Sequence, residues 1–318
     1  MPLDPHLADK VALVADVTRE EALNADEALW DRFTKVFSDN RPYDQPDVDV
    51  RDETVAGFEG LRVRVYTPVS GVRPGRRAFV WAHGGGFVAG TLDDHEADTV
   101  SRDLCARADT VVVSVDYPLA DGSTVRYPTL HRALAEAFRW TLRNAAELGV
   151  DADTVVLGGA SAGGNLTMAA TMELRDNGER VPARLLLVYP ALSATFTTSE
   201  AHERLMADIP PLFRFEQEAI GGIFHTYAAG ETDTPYLSFE DMPSLGELPP
   251  MLVVLSEYDD LRPPAEAVLA RAEQDGLTIE RYLASGVVHG HLSMLPLLPE
   301  TRATLDRMAA YLQRSTTH

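Results

Sequence analysis

The first forty residues show the spacing of amphipathic helices, and the chain then changes to the spacing of strands. Apolar side chains recur at intervals of three and four between positions 23 and 37, as they do on one face of a helix. Prolines within residues 41–46 interrupt this pattern. Segments 48–58 and 61–66 are strand-like, and in the second Leu61, Val63 and Val65 alternate with other residues. We therefore predict a helical N-terminal region followed by two strands, the second half-buried and antiparallel.

From residue 78 onward, short apolar runs alternate with longer segments of helical spacing. Buried strands are predicted at residues 78–82, 111–115, 155–157, 185–189, 251–255 and 278–283. Helices are predicted around residues 130–146 and after residue 161. This alternation is typical of a mostly parallel sheet covered by helices, so the pattern predicts an α/β fold.

One long segment breaks the alternation. No clear buried strand lies between Pro190 and Pro249, where apolar and aromatic residues are mixed with turn-forming ones. Segments of this length usually have a function or carry secondary structure of their own.

The apolar run that ends at residue 158 leads directly into G-A-S-A-G at residues 159–163, and helical spacing follows. Strand, tight turn and helix in this order are the context of a nucleophile elbow, which would project Ser161 above the edge of the sheet. Small neighbours let the strand and the helix converge without collision. By itself the motif is equally compatible with a plain turn before a helix.

A second glycine-rich segment, H-G-G-G-F at residues 83–87, follows another predicted strand. Its glycines form either a flexible loop or a set of bare amides that can approach a ligand oxygen closely. The second interpretation is favoured, because such a loop supplies the oxyanion hole that accompanies a serine elbow.

A serine nucleophile also needs a base and an acid that orients this base. Glu257 and Asp259 both follow the strand predicted at 251–255, and His289 and His291 follow the next one. Residues after parallel strands meet at one edge of the sheet, so an acid and a histidine should lie near Ser161. His289 is preferred over His291, because an offset of two residues would aim the second imidazole differently.

From about residue 78 to its C-terminus the chain resembles the hormone-sensitive-lipase-like branch of the α/β-hydrolases, which includes many bacterial carboxylesterases. The matching motifs are H-G-G-G-F at 83–87, V-D-Y at 115–117, S-A-G-G-N-L at 161–166, D-D-L-R at 259–262 and H-G at 289–290. This resemblance implies the α/β-hydrolase fold, with a mostly parallel eight-stranded sheet flanked by helices and covered by a helical cap.

The resemblance also implies the roles of individual residues. Ser161, Asp259 and His289 match the catalytic residues of the family. The oxyanion hole corresponds to the amides of Gly85, Gly86 and Ala162. Acyl transfer by these groups requires no metal and no organic cofactor.

The cap implied by the resemblance combines the N-terminal helices with the segment that lacks strands. We predict a cap of residues 1–45 and 195–235 and a catalytic core of residues 46–194 and 236–318. The alternative is that the apolar residues of this region only hold the cap onto the core. The residues expected to face the substrate are Phe87, Leu212, Phe213, Phe215, Ile220, Phe224 and Leu292.

The chain departs from the family pattern at several positions. Ala160 stands where the family usually has Asp or Thr, and Asp260 stands where proline is usual. The segment after V-D-Y normally reads R-L-A-P-E, but here residues 118–122 read P-L-A-D-G. We hypothesise that a supporting polar network has been replaced as a unit.

Composition restricts the functions that this chain can have. With 45 % apolar and 24 % charged residues it is an ordinary globular sequence. Its net charge of −21 argues against binding to nucleic acids or to anionic membranes. A single cysteine excludes an intrachain disulfide, and the N-terminus has no pattern of a secretory signal. We expect a cytoplasmic location.

Together these features predict a serine hydrolase that cleaves carboxylic esters with short to medium acyl chains through an acyl-enzyme. One alternative is a specialised deacetylase, lactonase, amidase or acyl-transferring cyclase that acts on one metabolite. A catalytically silent small-molecule binding protein is another. The expected partner is a small ester, without nucleic acid or membrane, and the resemblance implies a homodimer through a late strand near residues 279–283.

Overall fold

In the computed structural model, residues 2–37, 43–195, 198–231, 233–240, 242, 244–294 and 298–314 are described. Within these ranges, eight strands form one sheet. The strands are β1 (Val48–Thr54), β2 (Arg62–Pro68), β3 (Ala78–Ala82), β4 (Val111–Asp116), β5 (Val156–Ala160), β6 (Arg184–Val188), β7 (Met251–Tyr258) and β8 (Ile279–Val288).

The strand order is β1-β2-β4-β3-β5-β6-β7-β8. The pairs β1–β2 and β2–β4 are antiparallel, whereas all later pairs are parallel. This confirms the predicted mostly parallel, eight-stranded sheet. After β3 the chain places β4 on one side and then returns to place β5 on the other. In open α/β sheets, the carboxyl ends of strands at such a reversal form a crevice where ligands bind.

Helices cover both faces of the sheet. They are α1 (Pro5–Val11), α2 (Arg19–Leu23), α3 (Glu27–Phe37), α4 (Asp98–Ala108), α5 (Thr129–Arg143), α6 (Ala145–Leu148), α7 (Ala162–Asp176), α8 (Glu200–Met206), α9 (Gln217–Ala228), α10 (Arg262–Gln274) and α11 (Pro299–Leu312). Strand β3 shows why both faces need cover: Val80 packs into one hydrophobic layer, and Phe79 and Trp81 pack into the other. All three side chains are completely buried.

Two predicted boundaries differ from the observed ones for local reasons. β1 ends at Thr54, because residues 55–61 form a turn in which the amide of Val55 donates to the carbonyl of Leu61 over 2.9 Å. The helix predicted near residues 130–146 is divided at Asn144, whose side-chain amide donates to the carbonyl of Trp140 over 2.8 Å. Asparagine favours such local bonds, which compete with a continuous helix.

The segment between β6 and β7 carries α8 and α9, so it lacks strands but is not a structureless loop. It packs against the N-terminal helices, since the ring centroids of Phe33 on α3 and Phe213 lie 5.1 Å apart. No helix in the described ranges has the length and hydrophobicity needed to cross a membrane.

Candidate active site

Ser161 occupies a sharp turn between β5 and α7, with φ 52° and ψ −116°. A non-glycine residue rarely adopts this backbone conformation, which places its side chain outside the sheet. The glycines of the motif are required sterically. A Cβ atom on Gly163 would lie 2.2 Å from the carbonyl oxygen of Ala82, and one on Gly159 would lie 2.3 Å from the backbone of Gly163. The helix can therefore begin directly against β3.

Ser161, His289 and Asp259 form a continuous chain of hydrogen bonds. Ser161 Oγ lies 2.9 Å from His289 Nε2, and His289 Nδ1 lies 2.7 Å from Asp259 Oδ2. Asp259 is almost completely buried, and its other oxygen accepts the amide of Leu261 over 2.9 Å. A carboxylate beside Nδ1 retains the proton on that nitrogen, so Nε2 is the acceptor that faces the serine hydroxyl.

The rival candidates for the base and the acid, His291 and Glu257, have other partners. His291 is fully buried, and its nitrogens lie 3.0 Å from Ser256 Oγ and 3.1 Å from Thr304 Oγ1. Burial, with a smaller contribution from His289, lowers the pKa of His291 to about 3. Glu257 accepts the amide of Gly286 over 2.7 Å. Neither residue takes part in the hydrogen-bonded chain.

The glycine loop after β3 lies beside Ser161. Gly85 and Gly86 have φ values of 110° and 59°, and a Cβ atom on Gly85 would lie 2.0 Å from the carbonyl oxygen of Ala89. Within the described ranges, the amides of Gly85, Gly86 and Ala162 donate no hydrogen bond to another protein group. Ala162 is also the first residue of α7, where the helix dipole favours negative charge.

A cavity of about 510 Å³ opens above Ser161 and His289, a usual size for small-molecule sites. Three predicted pocket residues, Leu212, Phe213 and Phe215, line it. The ring of Phe215 lies 4.8 Å from that of His289. Phe33 and Phe37 of α3 also line the cavity. The N-terminal pattern predicted their helix but gave no sign that they face this site.

Contrary to the prediction, the other four expected pocket residues do not line this cavity. Phe87, at the end of the glycine loop, is fully buried, with its ring 4.8 Å from that of Tyr227 and 5.3 Å from that of Phe224. Ile220 is buried in the same hydrophobic layer, and Leu292 in the opposite one. Hydrophobicity alone does not distinguish a wall of a cavity from the packing behind it.

Ile223, which the sequence pattern does not single out, lies over the glycine loop. A Cβ atom on Gly86 would lie 3.4 Å from two carbons of the Ile223 side chain. Its position on α9, one turn after Ile220, carried no signal that separates it from its buried neighbours.

Asp260 connects the core to the segment that carries α8. It accepts hydrogen bonds from His202 Nε2 over 3.0 Å, Arg214 Nε over 2.8 Å and the amide of Phe215 over 2.8 Å. Burial alone would raise the pKa of Asp260, but these hydrogen bonds and the charge of Arg214 outweigh it and lower the pKa. We call Asp260, His202 and Arg214 the Asp260 cluster. Its signal was present in the sequence as an aspartate in place of the family's proline.

The altered segment at residues 118–122 supports the glycine loop without the family's charged groups. The amide of Ala120 donates to the carbonyl of Phe87 over 2.8 Å. Tyr117 places its hydroxyl 2.8 Å from the carbonyl oxygen of His83, and the His83 ring stacks on the Tyr117 ring at 4.4 Å. Ala160 is fully buried in a hydrophobic layer.

Among the described residues, no group of histidine, cysteine and carboxylate side chains is arranged to hold a metal ion.

A sheet of this topology, with a serine elbow after β5 and acid and histidine after β7 and β8, defines the class of α/β-hydrolases. Comparison with known proteins agrees, since the family described as "alpha/beta hydrolase fold" matches residues 79–293. The carboxylesterase NlhH of Mycobacterium tuberculosis is 32 % identical over 278 residues, which cover 85 % of this chain and 84 % of that protein. The ethyl acetate hydrolase of Pseudomonas putida is 28 % identical over 99 % of both chains.

A crystal structure of an esterase from the bacterial hormone-sensitive lipase family has the same fold. It superposes with a TM-score of 0.80 over 100 % of both chains, at 24 % identity. The chain therefore belongs to the α/β-hydrolase fold family and is a hydrolase of the carboxylesterase type.

Proposed function

We propose that this protein hydrolyses carboxylic esters with short to medium acyl chains. Ser161 is the nucleophile, His289 is the base, and Asp259 is the carboxylate that orients this base. The observation that carries the proposal is the hydrogen-bonded chain from Asp259 through His289 to Ser161, which ends at the floor of an apolar cavity. The similarity to an enzyme named for ethyl acetate supports small esters as the substrate class.

The geometry supports a two-step acyl transfer. His289 Nε2 takes the proton of Ser161 while Oγ attacks the ester carbonyl carbon, and Asp259 stabilises the imidazolium that forms. The oxyanion accepts hydrogen bonds from the amides of Gly85, Gly86 and Ala162, each worth about 2.7–4 kcal/mol in such sites. His289 then protonates the leaving alkoxide. In the second step it activates water, which cleaves the acyl-enzyme and restores the serine.

We also propose that residues 1–45 and 195–235 act as a cap on a core of residues 46–194 and 236–318. Phe213 contacts Phe33 and Phe37, with 5.1 and 6.0 Å between ring centroids. These contacts support a cap that both segments form together. The Asp260 cluster supports their attachment to the core.

The first test is hydrolysis of nitrophenyl esters from acetate to decanoate by the protein and its Ser161→Ala variant. We expect kcat to fall by at least about 10⁴-fold in this variant. Ser123→Ala is a matched control, because Ser123 lies in an exposed turn. Equal activity of wild type and Ser161→Ala would contradict the assignment of the nucleophile.

If the folded wild type cleaves none of these esters, labelling by a fluorophosphonate distinguishes the two alternatives. A Ser161 that becomes labelled indicates an active serine with one dedicated metabolite as substrate, such as an amide or a lactone. A Ser161 that stays unlabelled indicates a silent binding protein.

The homodimer and the cytoplasmic location remain predictions. β8 is an edge strand, and its Leu283 is 45 % exposed, which leaves a strand for pairing with a second copy. The mass of the protein in solution tests the dimer, and cell fractionation tests the location.

A further inference from the structure

Glu96 is a buried carboxylate beside the active site that the mechanism above does not use. It lies in the turn before α4, 9 % exposed, and takes part in the wall of the cavity. Oε2 accepts the amide of Gly84 over 2.5 Å, and Oε1 accepts the hydroxyl of Tyr189 over 2.5 Å. Its backbone carbonyl accepts Trp81 Nε1 over 2.8 Å. One residue thus binds β3, the loop after β3 and the end of β6.

Through Gly84, Glu96 contacts the loop that supplies the proposed oxyanion hole. A Cβ atom on Gly84 would lie 2.7 Å from Glu96 Oε2 and 3.2 Å from the Cβ atom of Ser161. Gly84 is therefore held between the carboxylate and the nucleophile, and it immediately precedes Gly85 and Gly86. A displacement of Gly84 would move both of these amides relative to Ser161.

Through Tyr189, Glu96 contacts the surroundings of His289, the proposed base. Tyr189 is buried, with a positive φ of 35° directly after β6. Its ring lies 4.9 Å from the ring of His289 and 5.2 Å from that of His291. Burial, and secondarily the charge of Glu96, raises the pKa of Tyr189 well above its ordinary value, so the hydroxyl remains a donor to Glu96.

The energetics indicate that Glu96 has a role other than stability. Among the described residues, no lysine, arginine or histidine forms an ion pair with its carboxylate. A buried carboxylate without a counter-ion costs free energy that hydrogen bonds offset only in part.

We propose that Glu96 is a positioning residue, which holds the glycine loop through the amide of Gly84 and the ring behind His289 through the hydroxyl of Tyr189. This inference rests on the proposed function. Glu96 would thereby set the position of the oxyanion hole relative to Ser161. The hydrogen bonds of the oxyanion hole matter in the transition state and not in the binding of the ester.

The test compares Glu96→Ala, Glu96→Gln and Tyr189→Phe with the wild type on nitrophenyl butyrate. Removal of both contacts in Glu96→Ala should lower kcat by about 10²-fold, with KM changed by less than about twofold. Gln can accept from Gly84 through its oxygen and donate to the Tyr189 oxygen through its amide. We therefore expect Glu96→Gln to retain kcat within about threefold of wild type.

Glu173→Ala is the matched control, because Glu173 is a carboxylate that is equally buried at 8 % exposure but lies against His131 and Arg132. It should lose stability without the selective loss of kcat. A folded Glu96→Ala that keeps the wild-type kcat would overturn the proposal, as would a Glu96→Gln as slow as Glu96→Ala. If Glu96→Ala does not fold, Tyr189→Phe decides: a lower kcat at constant KM supports the proposal, and an unchanged kcat overturns it.

The rate at which a fluorophosphonate labels Ser161 separates this proposal from the proposed function. Labelling requires the nucleophile and the oxyanion hole but no natural substrate. A wild type that is not labelled would contradict the proposed function itself. A wild type that is labelled, with a Glu96→Ala variant labelled equally fast, would contradict only the role of Glu96.

Discussion

At the scale of single residues, the active site depends on positions where side chains are missing. Gly159 and Gly163 have no room for a Cβ atom, because the elbow brings β5, α7 and the end of β3 into backbone contact. Ala160 lies between them, fully buried in the hydrophobic layer that also contains Trp81 and Tyr189. Trp81 donates to the backbone carbonyl of Glu96 and Tyr189 to its carboxylate, so the polar groups of both side chains already have an acceptor.

Ala160→Asp, which restores the family's usual residue, should therefore destabilise the protein. The new carboxylate would be buried among the apolar side chains that surround Ala160, and we expect the free energy of unfolding to fall by at least about 2 kcal/mol. Thermal unfolding monitored by circular dichroism measures this change, with Ala160→Asn as an uncharged control of the same size as aspartate. An unchanged or higher melting temperature would mean that a partner for the carboxylate is still present, against the hypothesis that the network was replaced as a unit.

At the scale of elements, the attachment of α8 and its following segment to the core depends on one buried acid. Asp260 satisfies three donors from His202, Arg214 and the amide of Phe215, and Glu203 also lies 3.2 Å from Arg214. Removal of the charge leaves Arg214 without its buried partner. Such losses typically cost about 3–5 kcal/mol.

Asp260→Asn should accordingly lower stability in a pH-dependent way. The folded-state pKa of Asp260 lies below its unfolded value, so its contribution is fully present above the ordinary carboxyl pKa of about 4. It is lost as pH falls through the lower, folded-state pKa. We expect a large difference in melting temperature between wild type and variant at pH 7 and a smaller one in strongly acidic buffer. The exposed Asp306→Asn serves as the control, and an equal difference at both pH values would contradict the prediction.

The second element that matters is α3, which brings Phe33 and Phe37 to the cavity. Phe37→Ala removes an aromatic ring from the apolar wall, and we expect the preference among nitrophenyl esters to move toward longer acyl chains. The expected change is a several-fold rise in kcat/KM for octanoate relative to acetate, since a buried methylene contributes about 0.8 kcal/mol. Trp30→Ala is the matched control on the same helix, because Trp30 is 49 % exposed and outside the cavity wall. An unaltered chain-length profile would place the acyl chain away from α3.

At the scale of the whole molecule, the order of strands brings the chemistry together. The glycine loop follows β3 and the serine follows β5, and these strands are direct neighbours at the reversal of strand order. Asp259 and His289 follow β7 and β8, which pair in parallel. Residues separated by more than a hundred positions therefore meet at one edge of the sheet, while the hydrophobic layers on both faces hold the strands in place.

The sequence by itself determined the sheet, the elbow and the residues of the hydrogen-bonded chain. These depend on local rules: buried strands need continuous apolar runs, and a sharp turn against a neighbouring strand needs glycine. Ser161 directly follows a predicted strand, and the residues after two later strands predicted an acid and a histidine near it. The resemblance to the family then singled out Asp259 from Glu257 and supported His289 over His291. The tertiary structure alone decided which apolar side chains face the cavity. Phe37 lines it and Phe87 does not, because the side of a loop or helix that meets solvent is set by what packs on the other side. The same holds for Glu96 and Asp260, whose partners come from distant elements and whose burial no local pattern records.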